Sequence, residues 1–260
     1  MADQATRDRA TELLRLHRDP ALLTVVNVWD VASAKVVAGT EGTKALATAS
    51  HSIAASLGYP DGENIPVDEM LAAVERIVDS TDLPVTADLE GGYGDAAETV
   101  RRAIGIGVVG ANIEDQMKPL AEAAAQVEAI MKVAEQEGVD FVLNARTDAF
   151  SRNRKGDPAE NLAASLERGR AFLDAGAPIV FVPALLDDEQ VSTLAEAFGP
   201  QRLTTIAIPG TPPLARLEEL GVARVSFGPL SLNVALTALQ ELVERTQQGE
   251  GVPGTMRLLV

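Results

Sequence analysis

LLTVVNVWDVASA, residues 22–34, is the stretch whose reading decides the fold. An apolar run of strand character, Leu22 to Val28, passes through Trp29 and Asp30 straight into a helical pattern, with no glycine-rich turn between them. Open doubly wound sheets that grip a dinucleotide place their phosphate-binding Gly-x-Gly-x-x-Gly at this first strand-to-helix junction. Its absence leaves the closed barrel as the preferred α/β architecture. Moving outward, seven further short apolar runs follow: Ala45 to Ala49, Val85 to Ala87, Gly110 to Ile113, Phe141 to Ala145, Ile179 to Val182, Leu203 to Ile208 and Arg224 to Phe227. Segments with apolar residues at three- and four-residue spacing separate them, such as Met70, Leu71, Val74, Ile77 and Val78, and the run from Leu120 to Ala134. Gly107, Gly138, Gly176, Gly199 and Gly221 each stand where a helical pattern ends and a strand begins. Eight strands alternating with helices predict an α/β fold of the (β/α)8, or TIM-barrel, type, which uses about 250 residues as one unit.

No Pro/Ser-rich linker divides the 260 residues, so residues 1–260 are expected to form one barrel domain. The last strand is followed by an apolar-striped helix, Leu230 to Gln248, and a tail ending in MRLLV, so the region from about 230 to 260 is expected at a subunit interface. A formal charge of −16 repels nucleic-acid phosphates and anionic lipid, and no run of 18 apolar residues provides a membrane span. Neither nucleic acid nor membrane is therefore an expected partner. The charged, helix-patterned N-terminus lacks the apolar core of a signal peptide, which predicts a mature start and a cytoplasmic location. The absence of cysteine removes disulfides, thiolate metal sites and any cysteine nucleophile or acid.

In such barrels the site forms where the strands end, so the residues that follow each apolar run carry the chemistry. Here they are acidic: Trp29-Asp30, Asp88-Leu89-Glu90, Glu114-Asp115 and Arg146-Thr147-Asp148. Carboxylates crowded at one mouth repel one another unless a cation compensates. With oxygen ligands and only His17 and His51 in the chain, a hard cation is expected, Mg²⁺ first and Mn²⁺ as its substitute. The competing role for each acid, strongest for Asp30 and Asp148, is to cap the helix that follows. Gly91 and Gly92 form a loop that lets backbone or ligand approach closely, or simply a turn. Arg146 ends a buried strand, where it meets either a substrate carboxylate or a carboxylate of the protein. His51 lies in the small-residue turn Ala49-Ser50-His51-Ser52, whose amides can face an anion. His17, on the N-terminal helix, is expected at the surface.

NVWDVASAKV, ATASHSIAASLGYPDG, TADLEGGYG, GANIEDQ and NARTDA, in this order, with GVARVSFGP before the last helix, resemble the isocitrate lyase and phosphoenolpyruvate mutase superfamily over nearly the whole chain. The resemblance implies a (β/α)8 barrel whose final helix is often swapped onto a neighbouring subunit in dimers or tetramers, with Mg²⁺ holding a 2-oxo acid or its enolate. It assigns direct metal ligation to Asp88, with Glu90 and Glu114 in the metal's shell and Glu114 acting through water. Asp61 matches the acid of the second loop. Thr48, Ala49 and Ser50 match the turn that holds the substrate carboxylate, Arg146 the substrate arginine, and Trp29 and Asp30 positions lining the site. The chain departs from the lyases after Glu114. In place of their lysine-x-cysteine-glycine-histidine loop it runs Gln116-Met117-Lys118-Pro119 into a helix, and the asparagine-bearing loop of the mutases is missing too.

These readings lead to a Mg²⁺-dependent lyase or hydrolase that cleaves a C–C or C–P bond of a small 2-oxo or 2-hydroxy carboxylate through a stabilised enolate. The acid that quenches the enolate has no assignment; Asp61, His51, Tyr93 and water are the candidates. One rival is a catalytically silent barrel that binds Mg²⁺ and a dicarboxylate. The other is a barrel enzyme of phosphorylated substrates, disfavoured because Pro209-Gly210-Thr211 and Gly228-Pro229-Leu230 supply no basic residue.

Overall fold

A computed structural model describes residues 1–259. The chain opens with α1 (Gln4–Arg18), then β1 (Leu23–Val25), β2 (Asn27–Val28), α2 (Val31–Ala38), β3 (Leu46–Thr48), α3 (Ser50–Ser56) and α4 (Val67–Val78). The middle contains β4 (Val85–Asp88), α5 (Ala96–Gly105), β5 (Gly110–Glu114), α6 (Leu120–Glu137), β6 (Val142–Arg146), α7 (Ala149–Arg152) and α8 (Pro158–Asp174). It ends with β7 (Ile179–Val182), α9 (Asp188–Phe198), β8 (Leu203–Ile206), α10 (Leu214–Glu219), β9 (Val222–Ser226) and α11 (Leu230–Gln247).

All strands pair in parallel in the order β1-β9-β8-β7-β6-β5-β4-β3-β2. The apolar run at residues 22–28 breaks at Val26, which is 41% exposed. Its first half pairs with the last strand and its second half with β3, so these two halves of one stave close an eight-stave barrel. The expected count of eight is thus met by nine segments. The final strand starts two residues earlier than its apolar run, at Val222, and all five of its residues are buried, Arg224 in register with Thr204 and Leu23.

One continuous hydrophobic cluster fills the space between strands and helices. The five glycines read as helix ends all have positive φ, from 68° at Gly138 to 99° at Gly176, a backbone region that other residues enter at a cost. Asp3 caps α1 by accepting from the Thr6 amide at 2.8 Å. Ala10, Leu13, Leu16 and His17 form its buried face, with Leu13 seated over Gly110 at the N-terminal end of β5. His17 is therefore not a surface residue: it lies one helical turn beyond Leu13, and its Nδ1 donates to the Leu13 carbonyl at 2.7 Å. No described helix is long and apolar enough to cross a membrane.

Candidate active site

The C-terminal strand ends bring Asp88, Glu90 and Glu114 together. Asp88, the last residue of β4, receives the Ser50 amide at 3.1 Å and the Ser50 hydroxyl at 2.7 Å on Oδ2, while its own amide donates to Thr48 Oγ1 at 3.0 Å. Its other oxygen, Oδ1, is buried and has no hydrogen-bond partner among the described residues. Glu90 is 5% exposed and sits at φ 52°, a left-handed turn that carries its side chain back over the strand end. Its carboxylate accepts from the Glu63 amide and from the Tyr93 hydroxyl, the latter at 3.2 Å. Burial and the Asp88 charge push the Glu90 carboxyl up to about 7. Glu114, at the end of β5, is likewise raised to about 7 by burial, with Asp148, Asp88 and Glu90 adding to the rise and Arg146 opposing it.

Arg146 stands directly across the sheet from Glu114. Its Nη2 lies 2.9 Å from Glu114 Oε2 and 2.8 Å from Asp148 Oδ1, and its Nε donates to Asp148 at 2.9 Å. Burial works against the guanidinium charge, but Glu114, Asp148 and Asp88 outweigh it and raise its pKa. The protein-carboxylate partner that the sequence left open is therefore present, and it fixes the guanidinium at the mouth. Arg152, half exposed on α7, approaches the same acids, 3.8 Å from Glu114 and 3.4 Å from Asp148. Asp115 turns the other way. It pairs with buried Arg168 and accepts the Met117 and Asp148 amides at 2.9 and 3.0 Å, bracing the short turn after β5 in which Gln116 and Met117 both have positive φ.

The remaining expected site residues separate into two groups. Thr48 and Ser50 touch Asp88, with Ala49 between them as the N-cap of α3. Gly91 and Gly92 are buried and leave no room for a side chain: one at Gly91 would overlap the Gln116 amide, and one at Gly92, where φ is 94°, would overlap Ala96. Asp30 is exposed and caps α2 through a reciprocal box with Ser33, and it borders the same groove as Trp29. Trp29 lines a groove between α2 and α11 with Phe227 and Leu230. His51 and Asp61 are exposed, and Asp61 reaches the site only through its charge on Glu90. Sequence reading missed Glu63. Its amide meets Glu90, and its carboxylate accepts from the Tyr93 amide at 2.6 Å and the Gln116 side chain at 3.2 Å, tying the second loop to the mouth. Only its position two residues after Asp61 in LGYPDGE hinted at this.

Among the described residues, no three His, Asp or Glu side chains stand ready-made around one point. The donors nevertheless suit a hard cation: they are all carboxylate oxygens, two belong to acids raised toward neutrality, and Asp88 Oδ1 lacks a partner.

The family model described as phosphoenolpyruvate phosphomutase matches residues 13–247. The chain is 31% identical to 2-methylisocitrate lyase of Escherichia coli K12 across 76% of its length and 70% of the relative's. It is 29% identical to 2,3-dimethylmalate lyase of Eubacterium barkeri across 96% and 90%. Its backbone superimposes on oxaloacetate acetylhydrolase in complex with 3,3-difluorooxalacetate with a TM-score of 0.86 at 26% identity, covering 98% of this chain and 92% of that one.

Proposed function

The chain belongs to the phosphoenolpyruvate phosphomutase family, within the phosphoenolpyruvate mutase/isocitrate lyase superfamily, and from that premise we propose that it is a Mg²⁺-dependent carbon–carbon lyase of a small 2-oxo or 2-hydroxy dicarboxylate. The observation that carries this reading is Asp88 Oδ1, a buried carboxylate oxygen without a partner between two acids raised to about 7. Asp88 would hold the cation directly, and Glu90 and Glu114 would support it through water or on leaving their present partners, with Mn²⁺ accepted in the same oxygen set. Bound there, the cation supplies Lewis-acid stabilisation of the negative charge that develops on the substrate's 2-oxo oxygen as the adjacent bond breaks.

The protein's own residues supply the rest. Arg146, held by Glu114 and Asp148, presents a pre-oriented positive charge to a substrate carboxylate. Arg152, with looser contacts, is the second cation at the mouth and suits the second carboxylate of a dicarboxylate. The Ser50 amide and hydroxyl, now on Asp88, are donors within the same pocket. Glu90 and Glu114, raised to about 7, are part-protonated near neutral pH, which limits repulsion at the mouth before a cation and substrate enter. The chain contains no cysteine to act as a thiol acid, which leaves Asp61, His51, Tyr93 or water to quench the enolate.

The relatives' names make 2-methylisocitrate, 2,3-dimethylmalate and oxaloacetate the first compounds to test. With Mg²⁺, release of a 2-oxo acid or oxalate from one of them is the expected result, and Asp88→Ala abolishes it. Undiminished turnover by that variant would overturn the assignment. Heat stabilisation by Mg²⁺ plus oxalate without product release would instead favour the silent binding barrel, consistent with its short turn after β5. The same reading includes a homodimer or homotetramer: Val234, Leu236, Leu239 and Val243 on α11 and Val252, Met256, Leu258 and Leu259 in the tail are exposed apolar residues suited to a second copy.

A further inference from the structure

Left-handed backbone at residues other than glycine is concentrated in one place. Among the described residues six have φ between 50° and 59°, and five of these stand in three loops at the mouth: Glu63 after α3, Glu90 and Tyr93 after β4, and Gln116 and Met117 after β5. The sixth, Gln201, precedes β8. Residues with side chains enter this region at a cost, so a cluster of them persists only where the surrounding contacts over-determine it. Those contacts converge on Glu63. Its amide donates to Glu90 Oε2, its Oε1 accepts from the Tyr93 amide at 2.6 Å, and its Oε2 accepts from Gln116 Nε2 at 3.2 Å. One N–H and two carboxylate oxygens thus join its own loop to both of the others. The far ends are fixed as well. The Tyr93 hydroxyl donates to Glu90 Oε1 at 3.2 Å, so Glu90 is held on both oxygens, and the Gln116 carboxamide lies where a Cβ on Gly91 would overlap it. The Glu90 carbonyl accepts the Glu114 amide at 2.7 Å, which connects the frame to the next acid of the mouth. On its other side the Glu63 loop is closed by Asn64, whose side chain donates to the Asp61 carbonyl at 2.7 Å, and by buried Ile65.

Oxygen donors bind a hard cation best when the groups that hold them are already in place. Glu90 depends on such support, because a left-handed residue at a strand end has no ladder of its own to fix its side chain. We propose that Glu63 is a positioning residue of the cation site: by bridging the loops after α3, β4 and β5 it sets Glu90 over the end of β4 before a cation arrives. Its carboxylate is occupied by an amide and a carboxamide from the other two loops, so it acts as a brace and not as a ligand. The inference rests on the reading of Asp88, Glu90 and Glu114 as the cation site.

Two variants of the intact chain separate geometry from charge. Glu63→Asp keeps the charge and tolerates a left-handed backbone, but it is one methylene too short to reach both donors. Glu63→Gln loses the charge and keeps the span, since its Oε1 still accepts from the Tyr93 amide while the Gln116 carboxamide turns its oxygen toward the new Nε2. In calorimetric titration with Mg²⁺ the Asp variant is expected to bind roughly tenfold more weakly than the wild type. The Gln variant is expected within about threefold of it, the worth of one screened charge. Hydrogen exchange of the cation-free protein supplies a second readout. The Asp variant should speed exchange roughly tenfold at the amides of Glu63, Tyr93 and Lys118, one in each loop. Wild-type Mg²⁺ affinity in the Asp variant, an equal loss in both variants, or faster exchange in the Glu63 loop alone would each overturn the proposal while leaving the cation site standing. A wild type that binds no Mg²⁺ saturably would overturn the reading of the site itself, and the role of Glu63 with it.

Discussion

Glu90 and Glu114 are buried acids whose carboxyls are raised from 4.5 to about 7, so the folded protein holds protons there that the unfolded chain has released. Between those values the native state binds more protons than the unfolded one, and stability without a cation falls as pH rises through the window, levelling off above about 7. A shift of this size corresponds to about 3 kcal/mol for each acid. Thermal melts of the cation-free protein are therefore expected to show a lower midpoint at alkaline than at mildly acidic pH. Glu90→Gln should flatten that slope and raise the alkaline midpoint while weakening Mg²⁺ binding; an unchanged slope would show that Glu90 titrates normally. Asp88, Glu90, Glu114 and Arg146 were legible as a cluster because residues at the strand ends of a barrel share one mouth. Glu63 was not, because its contact with Glu90 arises from a loop path that no periodicity encodes.

At the scale of elements, identical residue types took opposite roles. Asp30 and Asp88 both follow apolar runs, yet Asp30 caps α2 while Asp88 faces the mouth. Asp30→Ala should remove the capping box and cost about 1 kcal/mol, measured by denaturant unfolding, with turnover unchanged. The turn after β5 depends on a different kind of contact: Asp115 is neutralised by Arg168, which also donates to the Lys118 carbonyl at 2.7 Å. Arg168→Met leaves that buried carboxylate without its counter-charge and should cost about 3–5 kcal/mol in the same measurement. A loss below about 1 kcal/mol would mean that the two amides on Asp115 suffice. The resemblance to the lyases marked their loop as absent here, but not what braces the turn instead, since Arg168 lies 53 residues from Asp115.

For the whole molecule, α11 and the tail carry the exposed apolar surface, up to 91% exposure at Leu258. If these residues pack on a second copy, Val234→Asp with Leu239→Asp should reduce the molar mass in light scattering to that of one chain. An unchanged mass would place the interface elsewhere. By itself the sequence determined the barrel, its alternating elements and the acidic mouth, because strand and helix periodicities and helix-ending glycines act locally and repeat along the chain. Only the tertiary structure decided which acids are raised together at the mouth, which one caps a helix, and that His17 and Arg224 are both buried, the charge of one acting on the other. Those outcomes depend on closure of one split strand onto both its neighbours and on burial, which raises the energy of a charge according to what distant residues bring beside it.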